Sequence, residues 1–145
     1  MRTIKTRVLL ADDNKIIRQA IKKLLDSQND IEVIGEAEDG GQAIEKVRQQ
    51  GPDVIVLNLN MPNIDGVEAT CNIKIINPEV KILILAAYVN EKSIYRVFQY
   101  GASGYLLKKS IASDLVSAVK EVEKGNMFLD PIIANIIVKR VYNTF

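Results

Sequence analysis

The stretch Arg7-Val8-Leu9-Leu10-Ala11-Asp12-Asp13-Asn14 carries the first and clearest structural signal in the chain. Four apolar residues follow one another without the alternation of a half-exposed strand, then stop at two adjacent carboxylates. Such a run suits a strand covered on both faces, as in a parallel sheet. Just beyond it, Ile17, Ala20, Ile21, Leu24 and Leu25 recur at helical spacing, so an amphipathic helix follows the strand. The same unit then repeats. Strands are predicted at Arg7–Ala11, Ile31–Ala37, Val54–Leu57, Lys81–Ala86 and Gly104–Leu107. Helical stripes follow at Ala43, Ile44 and Val47, at Ala69, Ile73 and Ile76, and at Ile94, Val97 and Phe98. The fifth comprises Ile111, Leu115, Ala118, Val119 and Val122, with Ser110 as its expected N-cap. Gly40-Gly41, Gly51-Pro52, Asn77-Pro78 and Gly125 punctuate the elements. Five successive βα units predict an α/β fold, a doubly wound five-stranded parallel sheet with helices on both faces.

Residues 125–145 fall outside that repeat and form a second segment after a domain spanning 1–124. Pro131 suits the first turn of an extra C-terminal helix, where its missing N–H costs little. Ile132, Ile133, Ile136, Ile137 and Val141 make that helix apolar on one side. Its apolar side must be buried on its own domain, on a second copy, or on a following domain.

Composition narrows the function. The chain has 145 residues, 48% of them hydrophobic, and a net charge of +1, which excludes disorder and offers no basic footprint for nucleic acid. The longest apolar run, Ile82 to Val89, falls far short of the roughly 20 residues that span a bilayer. Arg2, Lys5 and Arg7 precede only a short strand, so a signal peptide is not expected and the cytoplasm is the default location. With one cysteine, Cys71, and no histidine, an internal disulfide, a Cys/His zinc site and any His-activated nucleophile are ruled out.

In open α/β sheets ligands bind outside the carboxyl ends of the strands, where Asp12 and Asp13 stand. Adjacent carboxylates repel unless a cation lies between them, and Mg²⁺ takes oxygen ligands of this kind while keeping several waters. A solvated loop that caps the first helix through Asp13 or Asn14 is the other reading.

Asp12-Asp13 after the first strand, the turn Asn60-Met61-Pro62-Asn63-Ile64-Asp65-Gly66 after the third, and Gly101-Ala102-Ser103-Gly104-Tyr105-Leu106-Leu107-Lys108 at the fifth carry a resemblance. Together they resemble the receiver domain of bacterial two-component response regulators, a flavodoxin-like, CheY-like (βα)5 fold, over residues 6–124. Lys81–Tyr88 and Gly104–Ser110 are most similar to the NarL/FixJ (LuxR-type) branch. The resemblance implies phosphorelay signal transduction, a sensor histidine kinase as partner, and a possible homodimer. It also implies transcription control through a helix-turn-helix DNA-binding output domain, absent here, toward which residues 125–145 lead. No membrane partner is expected.

Position by position, the resemblance implies a Mg²⁺ site at Asp12, Asp13, Asn58 and the Asn60 carbonyl. It places a phosphoryl-binding Lys at Lys108, a hydroxyl-bearing switch position at Ala86 and an aromatic switch at Tyr105. The phosphoacceptor Asp of the family falls on Asn58. A neutral amide is a poor nucleophile and gives no acyl phosphate, so this chain is expected not to be phosphorylated there and to hold Mg²⁺ weakly.

Two readings of Asn58 remain open at this point. It is either a single substitution, engineered or recent, in a working phospho-switch, or one mark of a phosphorylation-independent pseudo-receiver that serves interaction and dimerisation. Ala86 favours the second. Either way the chain is expected not to be an enzyme. A Mg²⁺-dependent hydrolase of the haloacid-dehalogenase type separates its two carboxylates by one residue, whereas Asp12 and Asp13 are adjacent. The face of the fourth helix, fifth strand and fifth helix, including Ile94, Val97, Tyr105 and the segment Ser110–Glu123, is one expected pairing surface; the outer side of the first and fifth helices is the other.

Overall fold

The computed structural model describes residues 4–144; Arg2, read above as part of the basic N-terminal cluster, lies outside them. The chain alternates β1 (Thr6–Ala11), α1 (Lys15–Asp26), β2 (Ile31–Ala37), α2 (Gly40–Gln50), β3 (Val54–Asn58) and α3 (Gly66–Ile76). It continues with β4 (Lys81–Ala86), α4 (Glu91–Gln99), β5 (Gly104–Leu107), a 3₁₀ turn (Lys108–Ser110) and α5 (Ile111–Glu123). The tail adds β6 (Phe128–Leu129) and α6 (Pro131–Thr144). The strands form one parallel sheet in the order β2-β1-β3-β4-β5-β6.

The unbroken apolar runs have a direct cause. Alternate residues of each inner strand point to opposite faces, and both faces are covered. Leu9, Ile55, Leu57, Ile82 and Ile84 join Val47, Ile73 and Val97 of α2, α3 and α4 in one core layer. Val8, Leu10, Val56, Leu83 and Leu85 join Ile21, Leu25, Leu115 and Val119 of α1 and α5 in the other. All five residues of β3 are buried.

The tail corrects two expectations. The sheet has six strands, because Phe128 and Leu129 pair with Gly104 and Tyr105. Gly104 permits this approach, since a Cβ there would lie 2.9 Å from the Phe128 carbonyl oxygen. Of the three covers considered for α6, the structure selects its own domain. Ile133 is fully buried in the core layer with Val97 and Tyr105, and Ile136 and Ile137 pack against that layer. Arg140 stacks over the Tyr95 ring of α4 at 4.0 Å. Ile94, Val97 and Tyr105 are therefore fully buried and are not themselves a surface on which two copies could pair.

Candidate functional site

The carboxyl ends of β1, β3 and β5 bring Asp12, Asp13, Asn58, Asn60 and Lys108 to one edge of the sheet. Asp12 is 2% exposed and Asn58 4%, whereas Asp13 and Asn60 are open to solvent. The Asp12 Oδ1 accepts from the Asn14 backbone N–H at 2.8 Å. Its Oδ2 is buried without a well-aligned hydrogen bond among the described residues, but Lys108 Nζ lies 3.2 Å away as an ion pair. That contact is electrostatic rather than directional, which reconciles the two observations. Asn14 also caps α1, its side chain accepting from the N–H groups of Ile16 and Ile17. Of the two caps considered, Asn14 is the one used, and Asp13 is left facing the pocket.

Asn58 closes the site. Its Nδ2 donates to the Asn60 carbonyl at 2.8 Å and to Asp13 Oδ1 at 3.2 Å. Both neighbours are acceptors only, and this fixes which end of the amide faces them. The two N–H bonds thus point at the oxygens that a cation would otherwise bridge. Among the described residues no group of three or more His, Cys, Asp or Glu could hold a metal; the pocket has two carboxylates because position 58 is an amide. The turn after β3 is held close by Gly66, whose N–H donates to Leu59 O at 2.7 Å. A Cβ at Gly66 would come within 2.7 Å of the Asn58 carbonyl oxygen.

Two residues that the sequence did not mark also support this edge. Arg18 of α1 is 5% exposed; its Nη1 donates to the Asp12 carbonyl at 2.6 Å and its Nε to Glu36 at 2.9 Å. A charged residue within an amphipathic helix reads as solvated, and only the Glu36 partner on β2 reveals otherwise. Asp130, just before α6, is also buried and accepts from the Ser110 hydroxyl at 2.8 Å. Ser110 stands at the N-cap of α5 as expected from sequence, but its side chain makes no capping hydrogen bond there.

The remaining expected positions lie deeper. Ala86 and Tyr105 are fully buried in one core layer. The Tyr105 ring packs 6.4 Å from Phe98, and its hydroxyl has no hydrogen-bond partner among the described residues. Burial pushes its pKa up to about 12.

A sequence profile for the response regulator receiver domain matches residues 8–120. The chain belongs to the response regulator receiver family. This receiver is 37% identical over 135 residues to the transcriptional regulatory protein DegU of Brevibacillus brevis, covering 93% of this chain and 57% of that protein. It is 38% identical over 125 residues to the response regulator VraR of Staphylococcus aureus, covering 86% of this chain and 60% of the relative. The receiver thus spans less than two thirds of the curated relatives it matches. A LuxR-family two-component response regulator from Aurantimonas sp. SI85-9A1 superposes with a TM-score of 0.89 at 33% identity, over 94% of this chain and 99% of that one. No helix among the described residues is long and apolar enough to cross a membrane.

Proposed function

We propose that this receiver passes on its signal without being phosphorylated at the end of β3, because the phosphoacceptor position is Asn58. The observation that carries the reading is the pair of hydrogen bonds from the Asn58 amide to Asp13 and to the Asn60 carbonyl. The amide protons occupy the oxygens that would face a divalent cation, and Lys108 neutralises the buried Asp12. Lys108 offsets only one of the two carboxylates, so the edge keeps a net negative charge at Asp13, which the neutral Asn58 amide hydrogen-bonds but does not cancel.

The donor chemistry still suits Mg²⁺. Two carboxylates and a carbonyl are hard oxygen ligands, and the Asp12 Oδ2 has no aligned hydrogen bond to give up. Asp12, Asp13 and the Asn60 carbonyl would hold the ion, with Asn58 turning its amide oxygen inward. That turn forfeits both Asn58 hydrogen bonds, so binding is weak. When bound, the ion would draw anionic oxygens toward Lys108.

In the receiver frame a sensor histidine kinase is the upstream partner. The name of the DegU relative points to transcription control, exerted through a DNA-binding output domain beyond residues 125–145 and by receivers acting as dimers. Ala86 supports a second reading, a pseudo-receiver that serves purely as an interaction module. It leaves no hydroxyl at the end of β4, and the Tyr105 hydroxyl has no hydrogen-bond partner among the described residues.

Intact-mass measurement with Mg²⁺ and acetyl phosphate, on this chain and on Asn58→Asp, tests both readings. The expected result is no adduct on the parent and one phosphoryl group on Asn58→Asp. A stoichiometric adduct on the parent would overturn the proposal. Failure of Asn58→Asp to react would move the balance to the pseudo-receiver.

A further inference from the structure

Asp130 is a carboxylate placed between two helix starts. It directly precedes Pro131, the first residue of α6, and its backbone carbonyl accepts from Ala134 N–H at 3.0 Å. Its side chain reaches Ser110, the residue directly before α5, where Oδ2 accepts from the hydroxyl at 2.8 Å and, more weakly, from Leu107 N–H at 3.4 Å. Helix N-termini favour negative charge, which explains how a carboxylate 5% exposed is tolerated with no ion-pair partner among the described residues. The Asp130 N–H in turn donates to Tyr105 O at 3.1 Å. One residue thus ties the tail to Tyr105 and Leu107 of β5 and to the turn that follows it.

That turn contains Lys108, whose Nζ holds Asp12 Oδ2 at 3.2 Å. Leu107 and Ser110, the two groups gripped by Asp130, flank Lys108 in the chain. On the far side of the latch, α6 is docked by the fully buried Ile133. A continuous set of contacts therefore runs from Asp12 through Lys108, the 3₁₀ turn and Asp130 to α6.

We propose that Asp130 latches the Lys108–Ser110 turn to the start of α6, so that loosening the turn and undocking α6 are coupled events. The coupling goes beyond the receiver reading above, since it does not depend on what the pocket binds or on the state of position 58. Coupling between two sites is reciprocal, and reciprocity separates a latch from a merely structural contact.

Amide hydrogen exchange, read residue by residue on the intact chain, provides the test. Ser110→Ala removes one hydrogen bond to a charged acceptor and should speed exchange of the α6 amides from Asn135 to Val138 by about fivefold to tenfold. The amides of α2, on the same face but near the opposite edge of the sheet, should not change. Ile133→Ala acts from the docking end, and should speed exchange at Lys109 and Ser110 by more than it speeds exchange in α2. Asp130→Asn keeps an acceptor for the Ser110 hydroxyl and should fall between the parent and Ser110→Ala. The proposal is overturned if Ile133→Ala loosens α6 alone, or if Ser110→Ala leaves α6 unchanged. Equal acceleration of α2 and α6 in Ser110→Ala would overturn it too, because that pattern marks global destabilisation.

Discussion

Tyr105 carries a hydroxyl that its surroundings do not satisfy, and replacing it with Phe has an unusual expected sign. The residue is fully buried, packs against Phe98, and has no hydrogen-bond partner for its O–H among the described residues. A buried donor left unpaired costs about 1–3 kcal/mol. Tyr105→Phe keeps the ring and removes that cost, so at pH 7 it should be neutral or stabilising by about 1 kcal/mol rather than destabilising. The pH dependence gives an independent check. Burial raises the Tyr105 pKa from the model-compound value of 10.0 to about 12 in the folded protein. The unfolded chain loses this proton first, so stability from this group is fully present below pH 10 and falls as pH rises toward 12. By pH 11 the loss amounts to about 1 kcal/mol. Urea unfolding of parent and Tyr105→Phe at pH 7 and pH 11 reads both quantities, and titrations common to the two proteins cancel in the difference. The gap should widen by about 1 kcal/mol in favour of Phe at the higher pH. A loss above about 1 kcal/mol at pH 7 would show that the hydroxyl makes a net favourable hydrogen bond. An unchanged gap at pH 11 would refute the burial argument itself.

Three further changes test the pocket edge. Asn58→Asp puts a third carboxylate against Asp13 and discards the amide donors, so in EDTA it should lose roughly 1–3 kcal/mol of stability; millimolar Mg²⁺ should restore its melting temperature while moving the parent little. Gly66→Ala drives a methyl group to within 2.7 Å of the Asn58 carbonyl and Leu59 Cα, and chemical denaturation should show a cost of about 1–3 kcal/mol. Arg18→Met leaves Glu36 without its 2.9 Å partner and frees the Asp12 carbonyl. Because Glu36 keeps 27% of its side-chain surface exposed, the loss should fall at or below the low end of the roughly 3–5 kcal/mol seen when a buried pair is broken.

Four of the five βα units were legible because a parallel sheet covered on both faces forces apolar residues into consecutive positions, while β2 lies at the sheet edge; Ile31–Ala37, Lys81–Ala86 and Gly104–Leu107 have the same limits in sequence and structure. Pro131 likewise marks the first residue of α6. What escaped was mostly polar or short. Phe128–Leu129 is too brief for period 2 to be recognised, and only the close approach at Gly104 hints that another backbone lies alongside. Ser110 has the right chemistry for a cap but spends its hydroxyl on Asp130, a partner 20 residues away that no local pattern reveals. Arg18 presents the same difficulty, since its burial depends on Glu36 across the α1–β2 layer. Ile94, Val97 and Tyr105 belong to one core face, but the sequence did not show that the chain's own tail covers it.

These contacts separate two properties that a receiver normally combines. In the reading proposed above, phosphoryl capture needs a carboxylate at one position, where Asn58 supplies an amide of similar shape. The mechanical connection uses other atoms. Lys108 still reaches Asp12, the turn after β5 still meets Asp130, and α6 still lies on α4 through Ile133. None of these contacts involves Asn58. A ligand, a partner or a substitution that draws Lys108 away from Asp12 would therefore act on α6 without phosphorylation, limited only by how much more tightly it holds the displaced state than the present one. On the proposed coupling, the pocket edge is one end of a lever whose effect on the tail depends on the strength of the Asp130 contacts.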